Sequence, residues 1–206
     1  MTTTETERVR RLMDKGAPRY DRQMNFFDRV LFAGGREWAC AKARGRVLEL
    51  AVGSGRNLEF YGGDVSLTAV DFSEDMLELA RRRAAELGRA VDLRVGDAQR
   101  LDFPDESFDT IVCTLALCTI PDPMRAVGEA HRVLRPGGRY VAFEHVRSPV
   151  RPVRAVQRVL NPLAVRFEGD HLVREPLDYM GRAGFEIEHL ERSKWGIVER
   201  LVAGKA

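Results

Sequence analysis

Three acidic residues stand where successive strands of an α/β sheet are expected to end. Glu49, Asp71 and Asp97 each close an apolar segment, and Gly53 and Gly55 follow the first of these segments. A carboxylate at the end of the second strand can accept hydrogen bonds from both hydroxyls of a ribose, and glycines let the backbone approach a ligand closely. The pattern therefore predicts a pocket for a ligand that carries a ribose.

The glycine turn argues against a dinucleotide as that ligand. A dinucleotide fingerprint has a third glycine where the next helix packs on its strand, and this chain has Leu58 at that position. Glu49 precedes the turn, so a carboxylate and bare backbone are expected to face it. Such a pocket suits a zwitterionic amino acid tail better than a doubly charged pyrophosphate.

The motif Glu-x-x-x-Gly-x-Gly that begins at Glu49 resembles that of the class I S-adenosylmethionine-dependent methyltransferases, which usually reads Asp/Glu-x-Gly-x-Gly-x-Gly. Ala51 occupies the position of the first glycine. Pro-x-x-Ser-Phe-Asp at residues 104–109 and Leu-Arg-Pro-Gly-Gly at residues 134–138 resemble the same family. The resemblance covers nearly all of residues 46–206 and implies S-adenosyl-L-methionine as the cofactor.

An adenine subsite is expected beyond the ribose. An acid beside a small residue, Asp97-Ala98, offers an acceptor for an exocyclic amine and an open backbone amide for a ring nitrogen. The family resemblance adds Phe72 and Met76 as adenine contacts, although both could equally be ordinary core residues. The complete set of expected cofactor-binding residues is Tyr20, Glu49, Ala51, Gly53, Gly55, Asp71, Phe72, Met76, Asp97, Ala98 and Leu115.

These residues require a sheet that brings the ends of several strands together. Strands are predicted at residues 47–50, 67–70, 91–95, 110–114 and 139–145, with a helix directly after the glycine turn and further helices between later strands. Two last segments, residues 185–192 and 197–204, are too close for a helical crossover and should pair antiparallel. The predicted fold is an α/β, Rossmann-like, doubly wound sheet of seven strands, mostly parallel with a C-terminal antiparallel hairpin.

The chain divides into an N-terminal helical region, residues 1–45, and a methyltransferase domain, residues 46–206. Bulky residues around Tyr20, Met24 and Phe27 recur at helical spacing. One interpretation is an amphipathic helix that packs on the sheet edge. The other, implied by a resemblance to quinone- and lipid-methylating relatives, is a lid whose Tyr20 reaches the cofactor and whose Met24 and Phe27 line the substrate pocket.

Residues 112–120, 143–146, 157–162 and 171–175 resemble the alkyl-thiol S-methyltransferases of the methyltransferase-like group, which implies a sulfur acceptor. A thiol with a pKa of about 8.5 is already partly ionised at neutral pH, so a nearby base or cation need only raise the thiolate fraction. His145 and His171 are the candidate catalytic residues, although each could be a structural hydrogen-bonding residue instead. The acceptor pocket is expected to include Cys118, Arg147 and Asp170.

Other interpretations remain open at this stage. Different relatives imply N-methylation of an aminophospholipid or C-methylation of a quinone-like ring, and Ala51 allows a non-enzymatic, accessory cofactor-binding subunit. Residues 146–174 carry six arginines against Glu168 and Asp170. This surplus fits either a solvated helical face or a surface that attracts anionic lipid.

Composition limits the remaining choices. The chain has 206 residues, a net charge of +2 and three cysteines without paired metal-ligand spacing, so one domain without a metal is expected. Arginines are not interleaved with aromatic residues in a block, which argues against nucleic acid as a partner. We expect a cytoplasmic monomer or homodimer with a small-molecule acceptor, no integral membrane segment and at most peripheral lipid contact.

Overall fold

The structure, a computed structural model, describes residues 4–206. The strands are β1 (Arg46–Leu50), β2 (Ser66–Asp71), β3 (Asp92–Val95), β4 (Phe108–Thr114), β5 (Leu134–His145), β6 (Glu186–Ser193) and β7 (Val198–Gly204). The helices are α1 (Glu5–Val30), α2 (Gly35–Cys40), α3 (Glu74–Glu86), α4 (Pro123–Val133), α5 (Arg151–Glu168) and α6 (Pro176–Arg182).

All seven strands form one sheet in the order β3-β2-β1-β4-β5-β7-β6. The pairs among β1 to β5 are parallel, whereas β7 pairs antiparallel with both β5 and β6. The predicted fold class is therefore confirmed, including the C-terminal hairpin. Strand β7 lies between β5 and β6, so the hairpin folds back into the sheet rather than extending it in chain order.

Alternating side chains bury both faces of the sheet. Leu48 and Ile111 belong to a core that α4 and α6 cover, whereas Val47 and Val112 belong to a core that α2 covers. Successive residues of a strand point to opposite faces, which explains why the central strands are apolar at nearly every position. This double coverage fixes the strand ends where the candidate site residues lie.

The helix predicted directly after the glycine turn is absent from the described structure. The segment instead makes successive four-residue turns, in which the Gly55, Leu58 and Phe60 amides donate to the carbonyls of Val52, Gly55 and Asn57. Gly53 and Gly55 have φ angles of 55° and 78°. Neither glycine is in the right-handed helical region, and the residues that follow form turns, so the prediction of a helix directly after the glycine turn was wrong.

Helix α1 begins with a capping box in which Thr4 and Glu7 exchange side-chain to backbone hydrogen bonds. It is continuous for 26 residues even though Pro18 lies inside it. Residues 1–3 of the predicted N-terminal region lie outside the described residues. Among residues 4–206, no helix is both long enough and apolar enough to cross a membrane.

Candidate functional site

The three predicted acids lie at one edge of the sheet. Strand β2 pairs in parallel with both β1 and β3, so the carboxyl ends of these strands are neighbours. Glu49 is the penultimate residue of β1, Asp71 is the last residue of β2, and Asp97 follows β3. Open α/β sheets place their ligands beyond these strand ends.

Asp71 is joined to the glycine turn. Its carboxylate accepts hydrogen bonds from the Gly53 amide at 2.8 Å and from the Ser73 amide at 2.9 Å. Burial raises the pKa of Asp71 to about 6, although both amide hydrogen bonds act to lower it. The predicted ribose acid is therefore an oriented carboxylate that faces bare glycine backbone.

The turn keeps a glycine-type backbone despite the alanine in its first position. Ala51 has a φ of 52°, in the left-handed region that glycine adopts most easily. A Cβ on Gly55 would lie 2.8 Å from Leu58 Cδ1 and 3.1 Å from Ala80 Cα, so this position requires glycine. Ala51 thus holds a left-handed backbone that is strained for a residue with a Cβ.

Glu49 does not face the turn as predicted. Its two carboxylate oxygens accept hydrogen bonds from Asn57 Nδ2 and from the Tyr61 hydroxyl, both at 2.8 Å. Arg36 extends this buried network by donating to Asn57 Oδ1 and to the Thr114 hydroxyl. Burial raises the pKa of Glu49 to about 7. The Glu49 carboxylate therefore has its hydrogen-bond donors in Asn57 and Tyr61. Sequence analysis did not connect these two residues with Glu49.

The predicted adenine residues are only partly available. Asp97 accepts hydrogen bonds from the backbone and side-chain nitrogens of Gln99 at 2.9 Å. Ala98 is buried beside it, Met76 is buried in the first turn of α3, and Phe72 is half-buried. The structure brings these residues to the same sheet edge, and their contact with an adenine remains a prediction.

Helix α1 covers this part of the edge. Asp14 accepts a hydrogen bond from the Ser73 hydroxyl at 2.5 Å, and Asp21 accepts one from the Ser54 hydroxyl at 2.6 Å. The Tyr20 hydroxyl stands 3.8 Å from the position that a Cβ on Gly53 would occupy. Tyr20 therefore lies over the glycine turn, and its role in a lid over the cofactor stays a prediction.

The other part of the carboxyl edge, at the ends of β4 and β5, contains a cluster of three side chains, Cys118, His145 and Asp170. His145 Nε2 lies 3.1 Å from Asp170 Oδ1, and Cys118 Sγ lies within 4.8 Å of a ring nitrogen of His145 and of a carboxylate oxygen of Asp170. Burial lowers the pKa of His145, but the Asp170 carboxylate outweighs burial and raises the pKa of His145 above its usual value. Burial and the same carboxylate raise the pKa of the Cys118 thiol, which therefore stays protonated near neutral pH.

The remaining acceptor-side predictions have different outcomes. The His171 amide donates to the Cys118 carbonyl at 3.0 Å, so His171 lies beside the cluster. Arg147 instead pairs with Glu175 at 3.2 Å. Phe27 is 42% exposed, and Met24 packs against the core that α2 covers. The structure thus supports neither Arg147 nor Phe27 as a pocket residue in this conformation.

Two residues that sequence analysis missed hold the loop after β4. Glu144 accepts hydrogen bonds from the Ala116 and Leu117 amides at 3.1 and 3.2 Å, and Arg174 donates to the Leu117 carbonyl. Leu115, which begins this loop, has a φ of 52°. The sequence signal that could have identified Glu144 was its position directly before the candidate catalytic residue His145.

Two cavities flank the covered edge. An open groove of about 650 Å³ is lined by Arg8 of α1, by His171 and by five residues of α5. A cavity of about 200 Å³ lies between the end of α1, the start of α2 and Arg56. Neither cavity includes Gly53 or Asp71, whereas the groove reaches the segment that carries Asp170 and His171.

The sequence is similar to those of known methyltransferases. Residues 48–142 match the family model described as a methyltransferase domain. Phosphatidylethanolamine N-methyltransferase of Cereibacter sphaeroides is 43% identical over 126 residues, which span 60% of this chain and 60% of that protein. Human thiol S-methyltransferase TMT1A is 31% identical over 198 residues, which span 91% of this chain and 80% of the human protein.

A solved structure shows the same fold. A possible histamine N-methyltransferase from Thermotoga maritima, described as S-adenosylmethionine-dependent, superimposes with a TM-score of 0.72 at 23% identity. The match covers 96% of this chain and all of that chain. At this level of identity the likeness supports the fold alone.

Proposed function

The chain belongs to the class I S-adenosylmethionine-dependent methyltransferases, and we propose from the His145–Asp170 cluster that it methylates the sulfur of a small, fairly apolar thiol. The cluster lies beside the sheet edge where the family binds its cofactor. A relative aligned over 91% of this chain is a thiol S-methyltransferase. The acceptor pocket and the roles of individual residues are part of this proposal.

The residues at the carboxyl edge fit S-adenosyl-L-methionine. Asp71 offers an oriented carboxylate to ribose hydroxyls, Gly53 offers bare backbone, and Met76 and Phe72 offer an apolar wall. Because Tyr20 stands over Gly53, the cofactor enters when Tyr20 or α1 moves aside. When bound, the cofactor supplies a methyl group on a sulfonium that a thiolate can accept by in-line displacement.

His145 activates the thiol in this proposal. Asp170 lies against Nε2 of His145 and favours the tautomer with its proton on that nitrogen, so Nδ1 is left to accept a proton. Among residues 4–206, Asp170 is the charged side chain that pairs with His145. The thiol proton moves to Nδ1, the sulfur keeps the electron pair, and Asp170 stabilises the imidazolium that results.

Cys118 forms part of the pocket wall rather than acting as a nucleophile. Its raised thiol pKa keeps it neutral, and methyl transfer to an external thiol needs no covalent intermediate. The donor atoms of Cys118, His145 and Asp170 are close enough to bind a metal ion, yet the ion pair of His145 and Asp170 accounts for their approach. Activity that survives a chelator would agree with the metal-free proposal.

A second candidate is N-methylation of an aminophospholipid. It rests on the 43% identity to a phosphatidylethanolamine N-methyltransferase, although that match spans only 60% of the relative. An amine nucleophile also needs to lose a proton, so His145 could serve either acceptor. The two candidates differ in the acceptor atom and not in the cofactor site.

An acceptor panel separates the two candidates. Purified protein is incubated with S-adenosylmethionine and an alkyl thiol, a dithiol or phosphatidylethanolamine vesicles, and methylated products are identified by mass spectrometry. We expect methyl thioethers from the alkyl thiol. In a control with an added chelator, we expect the methylation rate to be unchanged. Methylated phosphatidylethanolamine without any thioether would replace the thiol proposal by the second candidate.

A further inference from the structure

Helix α5 presents an apolar stripe to solvent instead of to the protein. Its members are about 40 to 75% exposed, whereas Gln157 is the one buried residue among those that α5 contributes. At about 100° of rotation per residue they fall within one arc roughly 100° wide, as in a helix with one apolar face. The apolar stripe consists of Val156, Val159, Leu160, Leu163 and Phe167.

Unpaired arginines lie on one side of the stripe. The same helical geometry places Arg151, Arg158 and Arg166 between the stripe and the protein-facing side. Within the described residues, none of the three forms an ion pair, and Glu168 is the only acid of α5. Exposed arginines without acidic partners beside an apolar face are the composition of a helix that lies in an anionic membrane interface.

An exposed tryptophan lies near the start of the same helix. Trp195, in the turn between β6 and β7, is 71% exposed. The Ser148 hydroxyl donates to the Trp195 carbonyl at 2.6 Å, and Gly196 packs against Pro149, just before α5 begins. Tryptophan prefers the headgroup region, where its ring meets both apolar and polar surroundings. The exposure of Trp195 is an observation separate from the apolar stripe and the arginines of α5.

Polar residues on the inner side tie α5 to the proposed acceptor site. Gln157 accepts a hydrogen bond from the Ser148 amide and donates to the carbonyls of Val146 and Leu172. Val146 follows His145, and Leu172 follows His171. The groove of about 650 Å³ opens between α5 and Arg8 and reaches His171. Whatever covers the stripe therefore lies at the mouth of that groove.

Charge favours lipid over a second copy of the chain. An antiparallel two-fold interface formed by the stripe would place the arginines of both copies on the same side of the helix pair, where like charges repel. Lipid phosphates compensate the same arginines, and acyl chains accept the apolar side chains. The acidic partners that a homodimer would need are absent from α5 apart from Glu168.

We propose that α5 is an interfacial helix that docks the protein on membranes rich in anionic lipid. The stripe enters the boundary between headgroups and acyl chains, the three arginines contact lipid phosphates, and Trp195 sits at the same level. Docking places the groove against the bilayer, from which an apolar acceptor can reach His145. Only this last step rests on the proposed function.

Vesicle co-sedimentation tests the docking without any turnover. Wild-type protein is compared on phosphatidylcholine vesicles with and without phosphatidylglycerol, at low and high salt. We expect binding to the anionic vesicles that weakens with salt, at least tenfold weaker binding for Val156→Ser/Val159→Ser, and a smaller salt response for Arg158→Gln/Arg166→Gln. Leu87→Ser, which removes an exposed leucine at the end of α3, serves as the matched control and should bind as wild type.

Thermal unfolding and S-adenosylhomocysteine binding confirm that each variant is folded. Equal sedimentation with neutral and anionic vesicles, or none with either, would overturn the proposal. So would wild-type dimers in analytical ultracentrifugation that dissociate in the Val156→Ser/Val159→Ser variant, because the stripe would then be an interface between copies. An inactive protein that still binds anionic vesicles would contradict only the proposed function.

Discussion

The carboxyl edge of the sheet has two neighbouring parts, a donor half and an acceptor half, whose polar side chains differ in their hydrogen bonding. In the donor half, at the ends of β1, β2 and β3, protein groups satisfy the carboxylates of Glu49, Asp71 and Asp97, and α1 covers them. In the acceptor half, at the ends of β4 and β5, His145 pairs with Asp170 and is mostly buried, and the groove reaches the neighbouring His171. The carboxylates of the donor half are thus held by protein hydrogen bonds, whereas in the acceptor half the buried Asp170 Oδ1 accepts no hydrogen bond within residues 4–206, although it lies 3.1 Å from His145 Nε2.

This difference predicts that substitutions in the two halves separate binding from turnover. Residues that shape the donor half should change cofactor affinity, because they contact the ligand in all states. Residues of the acceptor half should change the rate, because they act on the thiol alone. The predictions below are ordered by the size of the effect expected.

His145→Ala should produce the largest effect. Removing a general base typically lowers turnover by about 10²-fold or more, and affinity for S-adenosylhomocysteine should stay unchanged. Steady-state rates with an alkyl thiol and calorimetric titration measure the two quantities. His189→Ala, at an exposed histidine of β6, should leave both at the wild-type level, and equal losses in the two variants would remove the proposed role of His145.

Asp71→Ala should instead weaken binding of the cofactor. Losing a charged hydrogen-bond acceptor for the ribose costs about 1.5–3 kcal/mol, or roughly ten- to a hundredfold in affinity. Calorimetry with S-adenosylhomocysteine measures this change, and Asp75→Ala, an exposed acid in the first turn of α3, is the matched control. Undiminished affinity in Asp71→Ala would mean that the ribose binds elsewhere.

Asp170→Asn should shift the pH dependence of the rate. Asp170 raises the pKa of His145, whereas burial lowers it, so the variant should have a lower His145 pKa. Since the neutral imidazole is the active form, the acid limb of kcat/KM should move to lower pH, with a lower plateau because the imidazolium loses its partner. Rates measured across the acid range would show this, with Glu168→Gln as the control.

An unmoved acid limb would contradict the pairing of His145 with Asp170. A limb that moves to higher pH would indicate that another group governs the rate. In either case the donor half would be unaffected, and binding of S-adenosylhomocysteine would remain normal.

The smallest effects should come from substitutions at Ala51 in the donor half and Leu115 in the acceptor half, which both have a left-handed backbone conformation. Ala51→Gly relieves a strained backbone at a cost in chain entropy, so stability should rise by no more than about 1 kcal/mol. Leu115→Gly gains the same relief but loses packing against the core that α2 covers, and it should destabilise by about 1–2 kcal/mol. Chemical denaturation compares them, and equal shifts would show that strain alone matters at both positions.

The sequence predicted the fold well because apolar strands and helix ends are local signals. The strand order places Glu49, Asp71 and Asp97 at one edge, as the spacing of the three acids indicated. Tertiary contacts decided what the sequence could not show. Glu49 turns toward Asn57 and Tyr61, and the segment after the glycines forms successive turns where a helix was expected.

The acceptor half was less predictable. Asp170 lies in a segment far from His145 in the chain, and only the folding of the α5 region brings the two side chains together. Arg147 and Phe27 were assigned to the pocket by resemblance, yet one pairs with Glu175 and the other is exposed. Long-range contacts of this kind carry no local sequence signal.

The most direct test of the two-part edge is a crystal structure of the protein with S-adenosylhomocysteine. We predict that the ribose contacts Asp71, that Tyr20 has moved from its position over Gly53, and that the ligand sulfur points toward the His145–Asp170 pair. A ligand bound away from Asp71, or a sulfur directed away from His145, would contradict the account.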